Sequence, residues 1–481
     1  MSEPISTQLH VTYDRSALRP RVLHVGFGAF AKAHVMVFHD ELLRNENSDW
    51  GAVVTRLHSG EGELTLLDQA DHLFTVGEMS NDDLMLREIG AAIKTLHPKR
   101  DGFSALLAQI ADPDLSVITL TITEKGYCLS GGHLDMNNPA VVRDLREADD
   151  AETAIGILAK GLRLRQAAGL GGITILSCDN LPANGTLCRR AVLEFAEQLD
   201  PDLSRWIEAE CRFPCSMVDR ITPAMTEASQ QKLEAALGHP DPNGVLCEPF
   251  RQWVIEDSFA GDRPAWDLAG AQFVADVAPF EDMKLRLLNG SHSFLAYLGA
   301  LAGKETISDC MADPVFLTAA KRLMLDEQAP TLELPDGIDV SRYSDALIER
   351  FANTALRHKT TQIASDGSQK LPQRLLAPIR QHLQSGTEWP LAALAVAGWM
   401  RYCRGRSEIG GHLPVNDPLS GKFEAFATRS DGADYVNNML SLAAVFGTDL
   451  PASQDFVSRI QTAYEALGVN GAAKSIAAAL Q

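Results

Sequence analysis

Apolar runs with strand propensity recur through the first half of the chain and stop near residue 277. The first, residues 21–25 (RVLHV), leads straight into a glycine-containing turn at residues 26–34 (GFGAFAKAH). A second strand is expected at 52–57. Residues 117–123 (VITLTIT) then form a continuous β-rich run, as a central parallel strand needs when both faces are covered. A helix is expected over 154–168, with further strands over 172–176, 252–255 and 272–277. Beyond them helical spacing dominates, as at 314–326, 344–354, 391–402 and 455–467. The pattern predicts an α/β N-terminal domain of Rossmann type over 1–277 and a mainly α-helical C-terminal domain over 278–481.

The junction carries residues 280–294 (FEDMKLRLLNGSHSF), a helical segment dense in polar chemistry. On an α-helical wheel Leu287, Leu288, Ser291 and His292 follow Lys284 along one face. His292 falls about 80° round from Lys284 and Asn289 about 140° round, at roughly 100° per residue. Periodicity alone makes this an amphipathic helix whose lysine snorkels to water. On the wall of an apolar pocket, however, desolvation would disfavour the ammonium and make the lysine a general base.

Composition narrows the class. At 481 residues, 45% of them hydrophobic and 22% charged, the chain reads as a globular, enzyme-sized protein of two or three domains. A net charge of −20 without a basic block argues against nucleic acid or an anionic membrane as partner. Eight scattered cysteines read as reduced thiols, and Cys211 and Cys215 have no matching pair at zinc-ligand spacing. The N-terminus shows no basic region followed by an apolar core, and a cytoplasmic protein is expected.

Four stretches then carry candidate chemistry. Gly26 allows a tight turn after the first strand, Gly28 lets backbone approach a pyrophosphate, and Ala31 keeps the following helix close to its strand. The end of the second strand offers Arg56, His58 and later Glu61 where an acidic residue usually binds the adenosine ribose, which leaves NAD or NADP open. Glu124 and Lys125 follow the third strand, and Asn180 the fourth, at carboxyl ends where α/β sheets bind ligands.

Across nearly its whole length the chain resembles the mannitol dehydrogenase family, the polyol-specific long-chain dehydrogenases. The resemblance is carried by GFGAFAKAH, LTITEKGYC, SCDNLPANG, MVDRITP, CEPFRQWVIED, KLRLLNGSHSF and SDGSQKLPQ. It implies a metal-independent, NAD-dependent oxidoreductase in which Lys284 is the general acid/base and Asn180, Asn289 and His292 complete the catalytic set. Asp219 and Lys370 would touch substrate, and Glu281 would pass protons between the lysine and solvent. Val25, Gly26, Phe27, Gly28, Ala29, Phe30, Lys32 and Glu124 would hold the cofactor; Lys32 stands where the family usually has arginine, which keeps the charge without bidentate contact. Gln362, in place of a substrate-contacting arginine, together with Arg357, His358 and Lys359, points to the family's uronate branch, with D-fructuronate reduced to D-mannonate. A small sugar acid or polyol is then the partner, and a monomer or small homo-oligomer the working form. The competing readings are a neutral polyol dehydrogenase acting on mannitol or arabinitol and a non-catalytic dinucleotide sensor. Retention of Lys284, Asn289, His292 and Asn180 speaks against the sensor, which needs no proton-transfer lysine.

Overall fold

The structure, a computed structural model, describes residues 6–81, 83–147 and 150–481. It divides into two compact units, Met1–Ala278 and Pro279–Gln481.

The first unit is built on a five-stranded parallel sheet. Its strands are β1 (Arg19–Val25), β2 (Trp50–Thr55), β3 (Ala92–Leu96), β4 (Val117–Leu120) and β5 (Thr174–Ser177), in the order β5-β4-β1-β2-β3. The order reverses between β1 and β4, which makes their carboxyl ends the switch point where such sheets bind ligands. Alternate side chains feed two cores: Val22, Ala52, Val54 and Val117 enter one, and Leu23, Val53 and Ile118 the other. Both faces are covered, so β2, β4 and β5 are buried at every residue.

The VITLTIT run ends as a strand at Leu120, three residues short of its apolar pattern. Asp179, just past β5, accepts the Ile122 and Thr123 N–H groups at 3.0 and 2.8 Å and turns the chain, with Thr123 at φ +64°. A second sheet, order Ser6–Leu9, Leu84–Ile89, Phe74–Met79, Val245–Cys247, has no counterpart in the sequence reading. A third joins Ser216–Asp219, Gln252–Glu256 and Gln272–Val274.

The second unit is helical. Ser291–Leu301 is buried at every residue and packs along Pro390–Tyr402, which packs in turn on Gln454–Asn470. Three segments depart from α geometry and are π-helical: Lys284–Gly290, Leu323–Gln328 and Pro372–Leu376. They converge at Gly290, where a Cβ would stand 3.0 Å from both the Arg374 carbonyl oxygen and the Gln328 amide nitrogen.

Beside them the buried Glu327 carboxylate accepts the Leu391 and Ala392 N–H groups at 2.8 and 2.7 Å, capping helix Pro390–Tyr402. Glu327→Ala strands two buried donors and is expected to cost about 2–4 kcal/mol, read as a lower urea midpoint. Glu327→Gln, which keeps an acceptor oxygen, should lose about half as much.

Candidate active site

In the first unit the site is a cleft of about 540 Å³ across the carboxyl ends of β1, β2 and β4. Gly26, at φ +99°, turns the chain out of β1, and its N–H and that of Phe27 donate to the Thr55 carbonyl at 2.9 and 3.0 Å. A Cβ there would lie 2.1 Å from the Thr121 carbonyl oxygen, so only glycine fits. Gly28 is different: a Cβ would meet nothing nearer than the Gly26 oxygen at 3.8 Å, and it borders the cleft. It also starts helix Ala29–Ala33, which has no side-chain cap. Uncapped N–H groups beside an open glycine suit a pyrophosphate, and the residues present therefore fit a dinucleotide.

Several residues expected to bind the cofactor do not line this cleft. Val25 and Phe27 are buried in the cores of the sheet, with Phe27 edge-on to Phe74 at 5.7 Å. Lys32 is buried beneath the Phe27 and Phe74 rings, and its Nζ donates to the backbone and side-chain oxygens of Asn243 at 3.0 and 2.9 Å. Burial pulls its ammonium down to about 8. Phe30 stacks on His34 at 4.9 Å, and Ala29 and Phe30 are not among the cleft-lining residues. Glu124 is exposed, and its neighbour Lys125 lines the cleft instead, with Thr121 and Thr123. Beyond β2 the cleft meets Arg56, His58 and Ser59, and the Arg56 guanidinium pairs with Glu63.

Asn180 lies exposed just past β5. Its neighbour Asn184 is structural: Nδ2 donates to the Asp179 and Ser216 carbonyls at 3.0 and 2.8 Å, and Oδ1 accepts the Ser216 N–H at 3.0 Å. Asp219 closes its strand and is buried.

In the second unit Lys284, Asn289 and His292 lie on one continuous helix whose middle turn is π-helical. The uniform wheel is corrected here. A π turn bonds residue i to i+5, so Asn289 stands nearer Lys284 around the axis than a uniform α-helical wheel gives. Lys284 and His292 are buried at 8% and 7% exposure, enough to desolvate both while leaving an edge accessible. The Asn289 Nδ2 group is buried without a protein partner, a donor aimed at no acceptor of its own chain. The Asn289 carbonyl and the Ser293 hydroxyl accept from Arg374 Nη1 at 3.4 and 3.2 Å, which fixes the turn from the side. Burial pulls the Arg374 guanidinium down to about 10. Sequence reasoning missed this arginine, because the approach through Gly290 has no periodic signature.

The His292 ring packs on Phe351 at 4.4 Å and edge-on to His358 at 5.5 Å. Burial, then the charges of His358, Arg350 and Arg374, hold its imidazole well below the usual range. Below about pH 6.5 the unfolded chain takes up a proton that the native site refuses, so this group's contribution to stability falls as pH falls. The His292 Cε1 proton is expected not to titrate between about pH 5.5 and 9 by NMR; a titration near 6.5 would refute the buried neutral assignment.

Lys370 donates to the Ser365 and Ile363 carbonyls at 2.6 and 3.4 Å, and burial and Arg374 lower its pKa. Glu281 is partly exposed, one turn before Lys284. Gln362 is exposed in the short helix Thr360–Ile363. Arg357 and Lys359, expected at a substrate carboxylate, are 75% and 59% exposed and turn to Glu305 at 4.0 and 3.8 Å. Among the described residues no group of three or more His, Cys, Asp or Glu is arranged to hold a metal ion, and no helix is long and apolar enough to cross a membrane.

A glycine turn at the switch point of a parallel sheet, and a second unit presenting lysine, asparagine and histidine from one helix, define a Rossmann-type dehydrogenase. The chain belongs to the mannitol dehydrogenase family. Residues 20–268 match the mannitol dehydrogenase Rossmann domain and residues 276–468 the mannitol dehydrogenase C-terminal domain. D-mannonate oxidoreductase of Escherichia coli (strain K12) is 48% identical over 471 residues, 97% of each chain. Mannitol 2-dehydrogenase of Phaeosphaeria nodorum is 34% identical over 97% of this chain and 82% of its own. Among solved structures, the Pseudomonas fluorescens mannitol 2-dehydrogenase ternary complex with NAD and D-mannitol matches with a TM-score of 0.84 and 36% identity, covering 99% of this chain and 97% of that one.

Proposed function

We propose that the protein is an NAD(H)-dependent oxidoreductase that interconverts D-fructuronate and D-mannonate with Lys284 as general acid/base. The observation that carries the substrate class is the 48% identity, end to end, with a D-mannonate oxidoreductase. The chemistry rests on a buried lysine and an unsatisfied amide donor carried by the same π-helical segment. NAD(H), when bound, supplies or accepts the hydride. The backbone of Gly26 and Gly28 and the residues of the 121–125 turn would hold it.

The chain's own residues handle the oxygen and its proton. In reduction the ketone oxygen becomes an alkoxide as its carbon gains hydride. Asn289 Nδ2 donates to that oxygen, with Asn180 in the same role, and such preorganised donors act most strongly where charge develops. The Lys284 ammonium then transfers its proton to the alkoxide, and in oxidation the neutral amine takes it back. His292, kept neutral by burial, orients a substrate hydroxyl; Asp219 and Lys370 bind further hydroxyls. Glu281 returns the lysine's proton to water.

A neutral polyol as substrate is the second reading, supported by the likeness to the mannitol complex. Purified protein with NAD and D-mannonate, D-mannitol or D-arabinitol separates the two. D-mannonate should give NADH and D-fructuronate, identified by NMR, at least about tenfold faster than either polyol. Faster turnover of a polyol would overturn the uronate assignment.

A further inference from the structure

We infer that His358 is the specificity-determining residue of the 357–359 segment, donating from Nδ1 to the carboxylate of the sugar acid. This rests on the proposed reading of the substrate and adds to it the residue that reads the acid group.

The three residues Arg357, His358 and Lys359 form a cationic patch in sequence, but the backbone sends them to opposite sides. Arg357 adopts φ +44°, and it and Lys359 turn outward to Glu305. His358 turns inward, its ring edge-on to His292 at 5.5 Å. On the outer side its backbone is tied down, since the His358 carbonyl accepts the Ile307 N–H at 3.0 Å. The inward ring therefore has a fixed origin and touches the histidine of the catalytic helix.

Two further observations point to an anionic ligand there. The His358 Nδ1 atom is buried and has no hydrogen-bond partner, a cost that a substrate oxygen would relieve. Positive charge also lies nearby: Arg374 bears on His292, and Lys370 bears on His358. The carboxylates that bear on Lys370 are Asp366 and Asp417, and Asp417 already accepts the Ser368 N–H and hydroxyl at 2.8 and 2.6 Å. A neutral hydroxymethyl group gains little from such a field, whereas a carboxylate gains from every charge in it.

The test compares kcat/KM for D-fructuronate and D-fructose with NADH in the full-length enzyme and in variants. His358→Leu should lower the D-fructuronate value about 100-fold and change that for D-fructose by less than about threefold. His358→Asn places an amide nitrogen where Nδ1 stands and should keep most of the uronate preference. His358→Gln places it where Nε2 stands and should lose the preference; this pair carries the comparison if His358→Leu does not fold. Arg357→Ala and Lys359→Ala should stay within about twofold of the parent for both substrates. Equal losses for both substrates in His358→Leu and His358→Gln, or a uronate preference that survives both, would overturn the inference. A parent enzyme without uronate preference would instead overturn the proposed function, so the two failures are told apart by the parent's own ratio.

Discussion

Lys284→Ala is expected to lower kcat about 10³- to 10⁴-fold in both directions while leaving NADH affinity within about twofold of the parent. The lysine is the proposed proton donor for reduction, and neither Asn289 nor His292 can take its place. Asn289 carries an amide, and burial with neighbouring positive charge keeps His292 neutral. Removing the amine thus removes the proton path and leaves the oxyanion donor, so residual turnover should track the asparagine alone. Lys284→Arg sharpens the argument, because a guanidinium keeps the charge and cannot release a proton. It should be as inactive as alanine in oxidation. The pH dependence has a definite sign: reduction needs the ammonium and should fall as pH rises through the lysine's pKa, and oxidation needs the amine and should rise. Small primary amines added to Lys284→Ala should restore part of the rate. An alanine variant retaining a tenth of parental kcat would end the general acid/base assignment.

The second large effect separates two glycines two residues apart. Gly26→Ala forces a Cβ to within 2.1 Å of the Thr121 carbonyl oxygen at a residue with φ +99°. Left-handed backbone alone costs about 1–2 kcal/mol for a residue with a Cβ, and the clash is with main chain, which cannot swing aside. The variant should lose about 3 kcal/mol or more of stability, seen as a sharp drop in the urea midpoint. Gly28→Ala meets nothing nearer than 3.8 Å and should unfold like the parent. Its methyl group would instead enter the cleft where backbone must approach a ligand, and the NADH dissociation constant should rise about 100-fold. If both variants lost stability equally, or if Gly28→Ala bound NADH normally, the cleft would not be the dinucleotide site.

These two glycines also show what the chain discloses by itself. RVLHV followed by GFG is local information, a strand and a turn whose chemistry is read within ten residues. The structure places both where the reading expects them. The helical second half is legible for the same reason, since 3.6-residue spacing is a local signal. What stays hidden is long-range or geometrically special. Lys32 reads as a cofactor-binding cation, yet its Nζ donates to Asn243, 211 residues away. The π turn at Lys284 cannot be seen on a wheel that assumes 100° per residue, and it brings Asn289 nearer the lysine around the axis. Arg357, His358 and Lys359 read as one patch because the sequence carries no sign of which side each faces. Glu305, which draws two of them outward, lies more than fifty residues earlier in the chain.

The central claim is that this dehydrogenase acts on a sugar acid through Lys284, and one comparison tests it most directly. Steady-state reduction of D-fructuronate and of D-fructose by NADH should be measured on the same preparation at pH 7, beside Lys284→Ala. The account predicts a kcat/KM ratio of about 100 or more in favour of D-fructuronate, with both activities abolished together in the variant. A ratio near one or below, or a variant that still reduces either substrate at close to the parental rate, would contradict it.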